Sequence, residues 1–162
     1  MAAKEKQLIM NQPKYELKAS KNLLTFTFIS EGKRGLIHKM IKFQTIELNG
    51  VYNLALGDLN HITGEMNDLV TSNNGHSEKV LFTVASAVTC FTEEYPNAFI
   101  YITGSTESRT RFFRIGISKY FIQICKDYDV LGEIENGWES FEPNKSYRGF
   151  LVKRISINLN LF

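Results

Sequence analysis

The segment LIHKMIKFQTIELNGVYNLALGDL, residues 36–59, decides the predicted fold. It contains two runs with the composition of β-strands, separated by Asn49 and Gly50. Both of these residues tolerate positive φ angles, and an Asn-Gly pair between two such runs is a strong signal for a β-hairpin. We therefore expect two antiparallel strands that are joined by a tight turn.

A third strand is predicted before this hairpin. The run LLTFTFIS, residues 23–30, alternates bulky with small or polar residues at a period of two, which is typical of a half-buried strand. The glycine-bearing turn EGKRG, residues 31–35, then leads into the hairpin. The first third of the chain is thus predicted to be an antiparallel meander.

The remainder of the chain alternates between helical and strand patterns. After a long polar loop at residues 60–78, apolar residues recur at helical spacing, which predicts a helix from about Ser77 to Tyr95. The apolar run AFIYIT, residues 98–103, predicts an interior strand that is covered on both faces. A second helix is expected from Ser105 or Thr106 to about Lys126, because either residue can cap it. Two closing strands follow, DVLGEIE at residues 129–135 and YRGFLVKRISI at residues 147–157.

The predicted fold class is α+β, with a mostly antiparallel sheet, two helices packed on one face, and the order β-β-β-α-β-α-β-β. A length of 162 residues fits one compact domain. We expect a loose N-terminal segment at residues 1–14 and a single α+β domain at residues 15–162.

Composition narrows the functional classes. A net charge of +2 is too small for an obligatory polyanion-binding protein. No apolar stretch approaches the roughly 18–20 residues that a membrane helix needs, and the N-terminal sequence lacks a signal peptide's apolar core, so we expect a cytoplasmic protein without a membrane partner. Cys90 and Cys125 fall inside the predicted helices and are interpreted as buried free thiols.

The most promising site is the turn GSTESRTRFFR, residues 104–114. Helical projection places Arg109 at the border of the buried face and Arg111 away from it. A cation in the first helical turn opposes the helix dipole, so an anion should offset it. Gly104 allows close backbone approach, Ser105 and Thr106 offer hydroxyl and backbone donors, and a guanidinium can bind a phosphate or carboxylate through two hydrogen bonds.

Other residues join this site if the two helices lie side by side and parallel. Lys79 would then contribute positive charge from the first turn of the first helix, and the long loop would bring Asp58 and Asp68 close. The alternative is internal pairing, in which Glu107, Asp58 or Asp68 neutralises Arg109. No metal site and no cofactor are expected, because the carboxylates and histidines of the loop match no calcium-loop or HExxH-like spacing.

Several segments resemble a small family of uncharacterised bacterial proteins of about this length. They are YNLALGDL, SNNGHSEKVLFTVASAV, FTEEYPNAFIYITGSTESRTRFFR and YRGFLVKR, and the likeness runs over residues 23–154. Its most specific part is the Gly-Ser-Thr-x-x-Arg-Thr-Arg string at residues 104–111. His76 departs from the acidic residue expected after Asn-Asn-Gly, which weakens a metal or general-base role for that loop. The resemblance implies a discrete cytoplasmic domain and adds no chemistry.

We therefore expect a binding or regulatory domain that recognises an anionic group: a nucleotide, another phosphate-bearing small molecule, a nucleic-acid backbone or a partner's carboxylates. The expected ligand-binding residues are Gly104, Ser105, Thr106, Arg109, Arg111, Lys79, Asp58 and Asp68. One alternative is an enzyme that acts on a phosphate-bearing substrate with Asp58 or Asp68 as general base. Another is a structural homodimer module without a ligand.

A homodimer is the expected oligomeric state in the binding hypothesis as well. Phe112, Ile115 and Ile122 form a minor apolar strip on the second helix, away from its main buried face. Either a second copy of the chain packs against this strip, or the long loop or the C-terminal tail NLNLF covers it.

Overall fold

The computed structural model describes residues 11–67 and 75–156, which form an α+β fold around one mostly antiparallel sheet. Along the chain the elements are β1 (Lys18–Ala19), β2 (Thr25–Gly32), β3 (Gly35–Thr45), β4 (Val51–Leu59), β5 (Met66–Asn67), α1 (Ser77–Glu94), β6 (Phe99–Ile102), α2 (Glu107–Lys119), α3 (Phe121–Ile124), β7 (Tyr128–Ile134), β8 (Gly137–Ser140) and β9 (Phe150–Arg154). The strand order across the sheet is β1-β2-β3-β4-β6-β9-β7-β8, and β5 pairs with β4. The predicted fold class and the order of the long elements are confirmed.

The predicted meander is also present. Strands β2 and β3 pair antiparallel as far as Gly32 and Gly35, where Gly35 adopts a φ of 84°. Strands β3 and β4 pair antiparallel as far as Thr45 and Tyr52, and Gly50 in the connecting turn has a φ of 79°. Glycine adopts such angles without a steric penalty, which explains why the chain reverses at these positions.

The hydrophobic core lies between the sheet and the two long helices. Alternation along β2, β3 and β4 turns Phe26, Ile41, Phe43 and Leu54 towards the helices, and each is almost completely buried. Phe91 of α1 stacks on Phe43 with 4.1 Å between the ring centroids. From α2, Phe113 and Ile117 enter the same core.

The second helix is shorter than expected. It begins after Thr106, as predicted, but it ends at Lys119, because Tyr120 leaves the helical conformation with φ −110° and ψ 19°. The Tyr120 ring packs on Phe82 of α1 at 4.9 Å, and α3 follows as a separate short helix. Cys125 therefore lies just beyond α3 and is exposed, so the expectation that it is buried was wrong.

The expectation that β6 is covered on both faces was also wrong. Ile100 and Ile102 are buried beneath the helices, but Phe99 on the opposite face is 36% exposed and Tyr101 is only half-buried. The reason is that α1 and α2 both pack on the same face of the sheet. Within the described ranges, no helix has the length and apolar character that crossing a membrane would require.

The end of α2 contacts the start of α1, so the two long helices do not lie side by side and parallel. Lys119 and Tyr120, at the end of α2, both bond the Glu78 carboxylate in the first turn of α1. The first turn of α2 is consequently about 18 Å away from this contact, at 1.5 Å per helical residue. The arrangement that would have brought Lys79 next to Arg109 is therefore not the one observed.

Candidate functional site

A gap in strand pairing marks the candidate site. One side of β4 pairs parallel with β6 as far as Leu54, and the same side pairs antiparallel with β5 only from Asp58 onwards. Between these two pairings, residues 55–57 have no strand partner on that side among the described residues. The chain leaves β6 at this level and enters α2 through Gly104 and Ser105.

A cavity of about 130 Å³ occupies this gap. Its walls are residues 53–56 of β4, residues 103–105, and Arg109 and Phe113 of α2. It thus lies beside the middle of β4, at the carboxyl end of β6, where the parallel pairing of these two strands stops and α2 begins. Open sheets commonly bind ligands at the carboxyl ends of parallel strands, and helix N-termini favour anions.

Arg109 bridges the gap. Its Nη1 atom donates a hydrogen bond to the backbone carbonyl of Leu56, one of the unpaired positions of β4. The guanidinium is partly buried and lies in the wall of the cavity. The arginine therefore takes the place of a missing strand neighbour and is positioned by the sheet itself.

Close packing at Gly104 defines the shape of the turn. A Cβ atom at this position would lie 2.3 Å from Arg109 Cβ and 2.4 Å from the Thr110 backbone nitrogen. The Gly104 N–H donates to Thr110 Oγ1 at 3.0 Å, and Thr106 Oγ1 accepts from the Arg109 N–H at 3.3 Å. Only glycine permits this approach, and the two hydroxyls fix the first turn of α2.

The structure brings together three of the predicted ligand-binding residues. Gly104, Ser105 and Arg109 line the cavity. Thr106 is the N-cap of α2, so its hydroxyl accepts from the helix backbone. Arg111 is exposed on the outer side of the helix. Lys79 lies elsewhere, with its Nζ atom 4.2 Å from the centre of the Tyr15 ring.

Of the two predicted carboxylates, the structure describes Asp58, which does not line the cavity. Asp58 accepts from Lys39 Nζ at 2.6 Å, and the side chains of these residues are only 20% and 9% exposed. This partly buried ion pair joins β3 to β4, where Lys39 and Asp58 are register partners. Asp68 lies outside the described residues.

Sequence reasoning missed six of the nine residues that line the cavity, namely Asn53, Leu54, Ala55, Leu56, Thr103 and Phe113. Asn53 belongs to β4, and Phe113 forms an apolar wall from α2. Phe113 lies on the core-facing side of α2, and Asn53 carries no sequence signal of its own. Its position depends on the parallel pairing of β4 with β6, which joins segments almost fifty residues apart and leaves no local pattern.

The register partner of Asn53 on β6 is Tyr101, whose hydroxyl donates to Glu133 Oε2 at 2.5 Å. Burial, and then the negative charge and hydrogen bond of Glu133, raise the pKa of Tyr101 to about 12. This phenol is therefore protonated at neutral pH. It does not line the cavity and acts as a hydrogen-bond donor between β6 and β7.

Comparison with known proteins identifies a family. Residues 11–155 match the model of a family described as a family of unknown function (DUF6934). No curated protein and no solved structure matches the chain. In the described part of the chain, no group of three or more His, Cys, Asp or Glu residues could hold a metal ion.

Proposed function

The chain belongs to this family of unknown function, and we propose that it is a binding domain that recognises one phosphate or carboxylate group in the cavity beside Arg109. The observation that carries the proposal is the hydrogen bond from Arg109 Nη1 to the Leu56 carbonyl. This bond holds a guanidinium in the wall of a cavity that lies at the N-terminal end of α2.

The chemistry of the wall suits an anion. The N-terminal end of α2 carries partial positive charge, and the guanidinium carries a full one. Ser105 adds polar groups to the wall. Charge-assisted hydrogen bonds to an oxyanion are about twice as strong as neutral ones, which favours a phosphate or carboxylate over a neutral ligand.

The size of the cavity limits the ligand. Its 130 Å³ lie well below the roughly 300–1,000 Å³ that are typical of sites for whole small molecules. One phosphate or carboxylate group fits this space, whereas a whole nucleotide does not. The remainder of a larger ligand would have to extend from the mouth of the cavity.

The enzyme hypothesis gains no comparable support. A general base must come within hydrogen-bonding reach of the reacting group. Asp58 forms an ion pair with Lys39 and does not line the cavity. Asp68, the other predicted base, lies outside the described residues. We therefore keep binding as the proposed function.

A thermal-shift titration tests the proposal. Phosphate, sulfate and acetate are added at low salt to the wild type, to Arg109→Ala and to the control variant Arg111→Ala, which removes an exposed arginine from the same helix. A ligand that binds only the folded state raises Tm. We expect phosphate to raise the Tm of the wild type and of Arg111→Ala but not of Arg109→Ala. Equal responses in all three proteins, or none in any, would contradict the proposal.

A second titration separates a small ligand from a nucleic-acid backbone. Binding of an oligonucleotide weakens steeply with salt, because each phosphate contact releases counterions. For one anionic group we expect no measurable oligonucleotide binding at low salt. Tight binding with a steep salt dependence, lost in Arg109→Ala, would instead assign the site to nucleic acid.

A further inference from the structure

A second, much larger cavity lies on the other side of Phe113. Its volume is about 710 Å³, and Phe113 lines both cavities. Its walls are α1 and α2, and its floor includes Ile102, Val130 and Val152 from three neighbouring strands. Cavities that bind small molecules typically measure about 300–1,000 Å³ and have mostly apolar walls.

This cavity exists because the two helices touch at one end. A Cβ atom on Gly116 would lie 2.4 Å from Leu81 Cδ2, so α1 and α2 are in direct contact there. The Phe82 and Tyr120 rings close the same end. Further along α1, Ala85 and Val88 face the cavity. The space between the helices is therefore closed near Gly116, and small aliphatic side chains line it further along α1.

Arg154 stands at the other end of the cavity. Alternation along β9 turns Phe150, Val152 and Arg154 towards the helices, and the first two are buried core residues. The register partner of Arg154 is Tyr128, whose hydroxyl lies 2.8 Å from Thr92 Oγ1. The Arg154 guanidinium makes no hydrogen bond or ion pair with any residue of the described ranges, although it lines the cavity. The Arg154 guanidinium is thus a cation on the core side of the sheet, next to a mostly apolar cavity.

We infer that this cavity binds a small amphipathic molecule with an aliphatic body and one carboxylate head, as in a medium-chain or long-chain fatty acid. The body lies between α1 and α2, where burial of apolar surface supplies the affinity. The carboxylate accepts two hydrogen bonds from Arg154. Glu93, Lys126 and Asp127 also line this cavity. The two acids disfavour a doubly charged head, so the site fits a monoanionic carboxylate better than a phosphate monoester.

This inference concerns a different cavity from the one at Arg109, so it and the proposed anion site can be refuted independently. The test is a fluorescence titration with a polyene fatty acid, cis-parinaric acid, followed by competition with decanoate and with decanol. Ala85→Trp fills the cavity from α1, and Val88→Phe is a second filling variant in case the first does not fold. Far-UV circular dichroism and Tm establish that each variant is folded. Arg109→Ala is the control for the other site.

We expect saturable binding of one probe molecule per chain in the wild type and in Arg109→Ala, and a loss of at least about tenfold in a folded filling variant. Arg154→Gln should weaken decanoate by about tenfold and leave decanol unchanged, because only the carboxylate uses the guanidinium. The inference is overturned if no saturable binding occurs, or if a folded filling variant binds as tightly as the wild type. Equal affinity of decanoate for the wild type and Arg154→Gln would overturn the assignment of the head group.

Discussion

The Arg109 side chain donates a hydrogen bond to the backbone carbonyl of Leu56, 53 positions earlier in the chain. This contact joins the first turn of α2 to the part of β4 that lies between its pairings with β6 and β5. One side chain therefore helps to fix the start of the helix and also forms a wall of the candidate anion site.

Replacing Arg109 should lower the stability of the fold. In Arg109→Ala the partly buried Leu56 carbonyl loses a donor, and an unsatisfied group of this kind costs about 1–3 kcal/mol. Urea unfolding monitored by circular dichroism measures this difference. Arg111→Ala, which alters an exposed residue in the same helix, should stay within about 0.5 kcal/mol of the wild type. If the two variants unfold alike, the bond to Leu56 does not contribute to stability.

Gly104→Ala should be more damaging than its small size suggests. The new methyl group would clash with Arg109 Cβ and the Thr110 backbone nitrogen, and neither atom can rotate away. The helix must shift, at a cost of about 3 kcal/mol, and the response to phosphate should disappear with the cavity. Thermal unfolding with and without phosphate measures both effects. Ser108→Ala, an exposed change in the same turn, is the control, and a Gly104→Ala variant with wild-type Tm would refute the close packing.

Parts of the fold that depend on a few neighbouring residues could be predicted from the sequence. Local signals were reliable: Asn49-Gly50 identified the β3–β4 hairpin, and Thr106 was among the predicted caps of α2. A second Asn-Gly pair, at Asn136 and Gly137, was a usable signal for the β7–β8 hairpin that was overlooked. The short strands β1 and β5 have only two residues each, too few for any periodicity.

Relationships between distant elements could not be predicted in this way. The helical pattern continued past Lys119, and the break at Tyr120 depends on contacts with Phe82 and Glu78 of the other helix. The same contacts determine how α1 and α2 meet, and hence that Lys79 does not join Arg109. The anion cavity and the larger cavity both result from how strands and helices are placed relative to each other.

The Glu78 contact should make stability depend on pH. Hydrogen bonds from Lys119, and then from Tyr120, hold the pKa of Glu78 below its usual 4.5. Because the folded state favours the charged form, this contact stabilises the protein above the pKa of the unfolded state, and the contribution is lost as the pH falls through the lowered pKa. The stability difference between the wild type and Glu78→Gln should therefore be largest near neutral pH and vanish in acid.

Urea unfolding across this pH range measures that difference. Glu94→Gln, which changes an exposed acid at the opposite end of α1, away from the contact with Lys119 and Tyr120, serves as the control. If the free energy of unfolding of Glu78→Gln stays below that of the wild type by the same amount down to acidic pH, the charge of Glu78 is not what joins the two helices.

The predicted homodimer can be tested at the apolar strip of Phe112, Ile115 and Ile122. Ile115 is 52% exposed and Ile122 is 70% exposed, whereas Phe112 is half-buried beside Phe113. The long loop's residues 68–74 and the C-terminal residues 157–162, the other predicted covers of the strip, lie outside the described residues. If a second copy covers the strip, sedimentation should find a dimer that becomes a monomer in Ile115→Asp/Ile122→Asp. A wild-type monomer, or a dimer unaffected by both changes, would exclude this interface.

The proposed anion site is tested at residue resolution by an NMR titration of the ¹⁵N-labelled protein with inorganic phosphate at low salt. We predict saturable shifts of the amide signals of Gly104, Ser105 and the first turn of α2. The first turn of α1, at the start of the other long helix, should not respond, and in Arg109→Ala the shifts should be absent. Equal shifts at both helix starts would reveal nonspecific dipole effects, and unchanged signals at residues 104–109 would contradict the proposed binding site.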